Sequence, residues 1–343
     1  MEDSLFRAIG GQTGCRALAH AFYAGVEGDP VLRAVYPASL HCSTESLATF
    51  FVQFLGGPCV YSPLRWNLSL REAHSKFSIG PKERRAWLKN MRAAMKSVNI
   101  EVPARESLLA FFEEASAYLV NHPPQARRRS GPPLDGELGL RWQIQRSLDS
   151  AVSLLRAGQE PAAIAVIEEG AMEEYFRRDP AALLSLLAIM SEDYVARRLA
   201  ANPDLARERY SGGRTLLHGA AGAGRIDVVR LLLGMRSDSN ALDNGGHAPL
   251  YAAANECRSE SGADIVRALA QAGARVNANG GVKRATALHT AARRGNVAIG
   301  EALLECGADL EARDSQGITP LRRAINCRQH AMAGFLRLRG AAP

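Results

Sequence analysis

Six cysteines are spread over 343 residues, and no two of them stand in a C-x-x-C spacing. Cys15, Cys42, Cys59, Cys257, Cys306 and Cys327 therefore suggest neither a zinc knuckle nor a disulfide framework, and a reducing, intracellular compartment fits them best. Long apolar runs are missing as well. The longest, around Leu183 to Met190, is far too short to span a bilayer, and the opening MEDSLFRAIGG has no apolar signal core. A cytoplasmic protein with no membrane partner is expected. Aromatic residues make up only 6% of the chain and are not interleaved with basic ones, so the net charge of +7 does not point to nucleic acid. No stretch shows the apolar/polar alternation of a strand, and no glycine fingerprint for a flavin or nicotinamide appears.

What is present is an ordinary globular composition, 47% hydrophobic and 22% charged, over a length that suits two or three domains. Residues 1–122 read as a string of amphipathic helices. Leu18, Phe22 and Val26 form one apolar stripe, Leu47, Phe50, Phe51 and Phe54 a second, and Leu108, Phe111, Phe112, Ala115 and Leu119 a third. Gly10-Gly11, Asp29-Pro30, Tyr36-Pro37, Gly56-Gly57-Pro58 and Gly80-Pro81 punctuate them. From 123 to 146 the chain is rich in proline, glycine and arginine, including the triplet Arg127, Arg128 and Arg129, and is read as a semi-extended linker.

The second half repeats itself. Units beginning at Thr215, Ala248, Thr286 and Thr319 are spaced by 33, 38 and 33 residues, the extra length lying around Arg258 to Gly262 and near Val282. A period near 33 with T-P-L-H, paired alanines and LLxxGAdxNA resembles the ankyrin repeat. The resemblance implies helix pairs and hairpin loops stacked as a solenoid, which serves protein interaction. The repeat domain is expected over 147–343, degenerate to about 212 and clear over 213–343. His218 and His289, in the repeat turns, are read as scaffold that bonds neighbouring backbone rather than metal.

One residue of the first domain is out of place. In LREAHSKFSIG, His74 shares a helical stripe with Leu70 and Phe77, where a leucine would be ordinary. A buried imidazole needs a partner, and two readings are open at this point. It is a core histidine bonded to a backbone carbonyl, or a metal ligand whose second nitrogen is held by one.

The segment from Ser4 to Asn121 resembles the truncated haemoglobins, in particular their second group. The marks are Gly10-Gly11, Phe22-Tyr23, DPVLRAVYP from Asp29 to Pro37, Phe50-Phe51, Gly56-Gly57-Pro58, His74 with Phe77, and Ala86-Trp87-Leu88. The resemblance implies an all-α, two-over-two helical sandwich around haem b, with His74 as the iron ligand. It also implies a distal pocket with Tyr23, Tyr36 and Trp87 as hydrogen-bond donors, Leu47 as apolar wall, and Ser43 as a small residue leaving an opening, with Phe50 also among the haem-binding residues. Arg71 is the candidate partner of a haem propionate, and Phe77 packs beside the group. The absence of C-x-x-C-H excludes covalent haem attachment. Two departures stand out. Tyr61 to Ser69 lacks the family's histidine-proline stretch and carries Trp66, and Lys76 stands where a proline is frequent.

The expected function is binding of oxygen, or another diatomic such as NO, on a chain that also engages an unknown protein partner through its repeats. A sensor-adaptor, in which ligand state modulates partner binding, is the alternative. A repeat adaptor whose globin half has lost haem is a third reading. NO dioxygenation or peroxidase-like turnover stays open and would need a reductase from outside the chain.

Overall fold

The computed structural model describes residues 4–58, 60–61, 69–98, 100–122, 134 and 136–342. Among these the backbone is helical, with no strand beyond two isolated bridges, Tyr210 with Arg214 and Gly280 with Ala285. The all-α expectation holds. No helix among the described residues is long and apolar enough to cross a membrane. The chain divides into two compact units, Met1–Asp179 and Pro180–Pro343.

The first unit holds α1 (Ser4–Ala8), α2 (Gly11–Gly28), α3 (Pro30–Arg33), α4 (His41–Phe54), α5 (Leu70–His74), α6 (Pro81–Ser97), α7 (Val102–Tyr118), α8 (Gly136–Arg156), α9 (Glu160–Ile167) and α10 (Gly170–Arg178). Gly10 precedes α2 at φ 92, a left-handed conformation that a side chain would strain. Asp29 caps α3 by accepting the Val31 and Leu32 amides, and its other oxygen takes the Asn90 side-chain amide from α6 at 2.9 Å. One carboxylate thus starts one helix and ties it to another. Pro81 occupies the first turn of α6, and Glu83 accepts the Gly80 amide at 2.9 Å.

The apolar stripes meet as their periodicity requires, with α2 against α4 and α6, and α6 against α7. Phe22, Phe51, Phe111, Phe112, Leu108, Met91 and Met95 are fully enclosed. Phe54 stacks on Phe111 with ring centres 4.6 Å apart, and Phe51 and Trp87 both reach Phe112 at 5.5 Å.

Helix α8 runs from the end of the expected linker (123–146) into the start of the expected repeat domain (147–343), within the first compact unit. Within 123–146, residues 123–133 and 135 lie outside the described residues, but Gly136 onward is helical. The reason is burial. Trp142 is 3% exposed, lies 5.6 Å from the Phe111 ring and donates its indole N–H to Glu114 at 2.9 Å, while Arg141 donates to the Phe54 carbonyl at 2.9 Å. Farther along the chain, Gln53 and Tyr175 both donate to Asp179.

The second unit holds α11 (Pro180–Leu187), α12 (Glu192–Ala201), α13 (Leu216–Ala223), α14 (Ile226–Gly234), α15 (Pro249–Glu256), α16 (Gly262–Gln271), α17 (Ala287–Arg294), α18 (Val297–Glu305), α19 (Pro320–Asn326) and α20 (His330–Leu338). Neighbouring pairs stack through α13, α15, α17 and α19 on one side and α14, α16, α18 and α20 on the other. The extra residues after Arg258 fall between α15 and α16, and Val282 is fully exposed in the Gly280–Ala285 hairpin.

The turn histidines knit this stack. The Thr215 amide donates to His218 Nδ1 at 3.1 Å, so the ring proton sits on Nε2, which donates to the His247 carbonyl of the next repeat at 3.0 Å. His289 repeats the pattern, from Thr286 to the Ile318 carbonyl at 2.8 Å. Burial pushes the His218 pKa down from 6.5 to about 4.

Two outcomes follow from this packing. As the pH falls from about 6.5 towards 4, the unfolded chain binds a proton at His218 before the folded one does, so stability declines across that window. The loss is roughly 3 kcal/mol at full extent, and urea melts of His218→Gln should show a shallower pH slope than the parent. Replacing Trp142 by Ala should destabilise the first unit by about 3–5 kcal/mol; an unchanged melting profile would show that α8 is not part of that core.

Candidate functional site

The proximal side is built on α5, a helix of only five residues. Ser69 caps it by accepting the Glu72 amide at 3.1 Å. One turn along, His74 Nδ1 lies 2.7 Å from the Leu70 carbonyl. Because a carbonyl can only accept, Nδ1 carries the proton and Nε2 keeps the lone pair. Burial is the leading cause that lowers the His74 pKa, outweighing the Leu70 carbonyl and the nearby Asp149 charge, so the ring is held neutral. A neutral imidazole with its second nitrogen committed to a carbonyl is the form in which histidine ligates a metal.

The chain beyond His74 is pinned by Asn121, whose Nδ2 donates to the Phe77 carbonyl at 2.8 Å and whose Oδ1 accepts the Ile79 amide at 2.8 Å. Phe77 lies with its ring centre 6.3 Å from that of His74 and also 6.3 Å from that of Tyr36. Lys76, the departure from the family pattern, sits 5.0 Å above the Phe77 ring. The other departure, Trp66 within the Tyr61 to Ser69 loop, lies outside the described residues.

Across Phe77 stand the three polar aromatics. Tyr23 comes from α2 and is 8% exposed, Tyr36 follows α3, and Trp87 comes from α6. The Tyr36 hydroxyl lies near the Tyr23 hydroxyl and the Trp87 indole, and Ser43 from α4 lies near Tyr23, each close enough to bias its neighbour's titration. Tyr23 and Tyr36 meet edge to face at 5.4 Å. Burial raises both phenol pKa values, so each hydroxyl stays protonated and able to donate. Ser43, Leu47 and Phe50 recur at helical spacing on α4, so they share one face, and all three are half-buried. Phe50 stacks on Phe54 at 5.2 Å.

The sequence-selected residues thus assemble as Tyr23, Tyr36, Ser43 and Trp87 in one cluster, Leu47 and Phe50 on the adjoining α4 face, and His74 with Phe77 opposite. Arg71 packs beside Tyr118. Its guanidinium lies 4.0 Å over the Tyr118 ring and reaches the Tyr118 carbonyl at 3.5 Å. Two residues that sequence reasoning missed are Asn121 and Asp149. Asp149 accepts the Leu70 amide at 2.7 Å from α8, and its only signal in the sequence is an acid on a stripe with Trp142, Gln145 and Val152.

Comparison with known proteins gives this geometry a context. The bacterial-like globin family matches residues 4–121, and the group 2 truncated haemoglobin YjbI of Bacillus subtilis (strain 168) is 32% identical over 113 residues, which are 33% of this chain and 86% of that protein. Through its first domain, the chain belongs to the truncated haemoglobins. This truncated globin also resembles the haemoglobin of the thermophilic phototrophic bacterium Chloroflexus aurantiacus, 39% identical over 34% of this chain and 97% of that structure, at TM-score 0.33. Ankyrin repeats match over 185–280 and 259–342. Human ankyrin repeat and SOCS box protein 16 is 36% identical over 129 residues, and the chain spans 28% of its length.

Haem binding follows from the globin family, and the residues present fit the group. His74 offers one neutral nitrogen, the α4 face offers half-buried apolar side chains, and the Tyr23–Tyr36–Trp87 cluster offers O–H and N–H donors. Among the described residues no cluster of three His, Cys, Asp or Glu side chains is placed to hold a bare metal ion.

Proposed function

We propose that the first domain binds haem b non-covalently, with His74 Nε2 on the iron, and takes up oxygen or NO on the side of Tyr23, Tyr36 and Trp87. The observation that carries this reading is the pairing of a neutral imidazole, committed through Nδ1 to Leu70, with the O–H and N–H donors of Tyr23, Tyr36 and Trp87 gathered beyond Phe77. Haem, when bound, supplies the iron centre and its one-electron redox chemistry. The chain supplies the rest. Leu70 orients the imidazole and makes it a better base. Protonated Tyr23 and Tyr36 and the Trp87 N–H oppose partial negative charge on a diatomic ligand in a site of low dielectric. Leu47, Phe50 and Phe77 exclude water, and Ser43 leaves a narrow entry. Arg71, turned over Tyr118, would reach a propionate only by leaving that ring.

The repeats carry a protein partner, and the protein acts in the cytoplasm. NO dioxygenation and peroxidase-like turnover are compatible with the same site and require an external reductase. The sensor-adaptor reading is favoured by one observation. Helix α8, which follows the globin segment in the chain, packs on α5, the helix that ends in His74.

The deciding experiment compares absorption spectra of haem-reconstituted parent and His74→Ala, with oxygen release from Tyr23→Phe and Trp87→Phe. The Soret band should weaken or shift in His74→Ala, and each distal variant should release oxygen about tenfold faster, the equivalent of one hydrogen bond to a partly charged acceptor. A Soret band indifferent to His74 would overturn the reading.

A further inference from the structure

The globin family match ends at residue 121, yet a buried carboxylate from beyond it reaches the proximal helix. Asp149 is 3% exposed on α8. Its Oδ1 accepts the Leu70 amide at 2.7 Å and the Gln145 side-chain amide at 3.1 Å. The carbonyl of the same Leu70 takes the Nδ1–H of His74 at 2.7 Å. Leu70 therefore stands between the carboxylate and the imidazole, its N–H bonded to Asp149 and its oxygen to His74.

We propose that Asp149 is a positioning residue for the proximal ligand: it holds Leu70 by its amide, which fixes the carbonyl that takes the His74 proton, and its buried charge increases electron donation from Nε2. The inference rests on the reading of His74 as iron ligand. Its physical basis is that metal-bound imidazoles are tuned by the acceptor on their other nitrogen, and that polarised hydrogen bonds in series strengthen one another. The carboxylate also places a negative charge near the site, which favours ferric over ferrous iron in the same direction. Burial explains why the effect is not screened away by solvent. The α8–α5 pairing has a second, exposed anchor, Arg156 to Glu72 at 3.1 Å, which holds the helices together without touching the peptide between Leu70 and Arg71.

The test uses the full chain reconstituted with haem, and compares the parent with Asp149→Asn, Asp149→Ser, Asp149→Glu and Arg156→Ala. Asp149→Ser retains a small acceptor without the charge and serves if the asparagine variant fails to fold. Two quantities are read, the ferric/ferrous midpoint potential and the iron–histidine stretching frequency of the ferrous protein by resonance Raman. Loss of the charge should favour the ferrous form about tenfold, an upward shift of about 59 mV for a one-electron couple, and should lower the stretching frequency. Asp149→Glu should restore part of both, and Arg156→Ala should move neither. If the potential rises with the stretching frequency unchanged, only a distant charge acts and the relay is refuted. If neither moves while His74→Ala still abolishes the parent Soret band, the role of Asp149 is refuted and that of His74 stands. A Soret band that survives His74→Ala intact removes the premise, and the inference falls with it.

Discussion

The 2.7 Å hydrogen bond from His74 Nδ1–H to the Leu70 carbonyl is the constraint around which the first unit is arranged. His74 is half-buried, and a polar group taken out of water without a partner costs on the order of 2–7 kcal/mol. Committing Nδ1 to the backbone satisfies one nitrogen and settles the tautomer. The remaining nitrogen is left as a base on a ring whose centre lies 6.3 Å from that of Phe77. The same logic runs through the other side. Tyr23 is buried and Tyr36 and Trp87 half-buried among aromatic neighbours, and burial keeps both phenols protonated. Base and donors therefore confront each other across one phenylalanine.

The second unit meets the same constraint differently. His218 and His289 are as buried as any leucine nearby, yet both of their nitrogens are bonded to backbone or a neighbouring threonine, and nothing is left over for chemistry. Each ring links the turn of one repeat to the carbonyl of the next, which is how a solenoid that lacks long-range contacts becomes cooperative. The bidentate pair of Arg214 with Glu256, mostly enclosed, adds a link of the same kind between successive repeats. One residue type thus serves as scaffold where both nitrogens are satisfied and as candidate ligand where one is not.

Much of this was legible in the residues. The stripe Leu18, Phe22, Val26 becomes the enclosed face of α2, and Phe111 and Phe112 become core, because helical period and apolar burial are local properties. His74 was conspicuous for standing where a leucine belongs, and the 33-residue spacing of the repeats survived an insertion that the fold accommodates between α15 and α16. What was not legible shares one feature. Trp142 and Asp149 were set in or beside a stretch read as linker and degenerate repeat, and only their partners, Phe111, Glu114 and Leu70, reveal where they go. Arg71 is the propionate candidate by its place one turn before His74, and only folding shows its guanidinium over the Tyr118 ring, 47 residues away in sequence.

The sequence by itself determined the helical class, the repeat period, the membership of its first domain and the candidate proximal histidine, since these depend on spacing along the chain and on residue chemistry. The tertiary structure alone decided which nitrogen of His74 is committed, that Tyr23, Tyr36 and Trp87 are gathered together, and that α8 closes on the first unit and brings a carboxylate to the start of α5. The physical reason is that a hydrogen bond is satisfied by whichever partner lies within about 3 Å, and for residues such as Leu70 and Asp149, 79 positions apart in sequence, only folding brings that partner there.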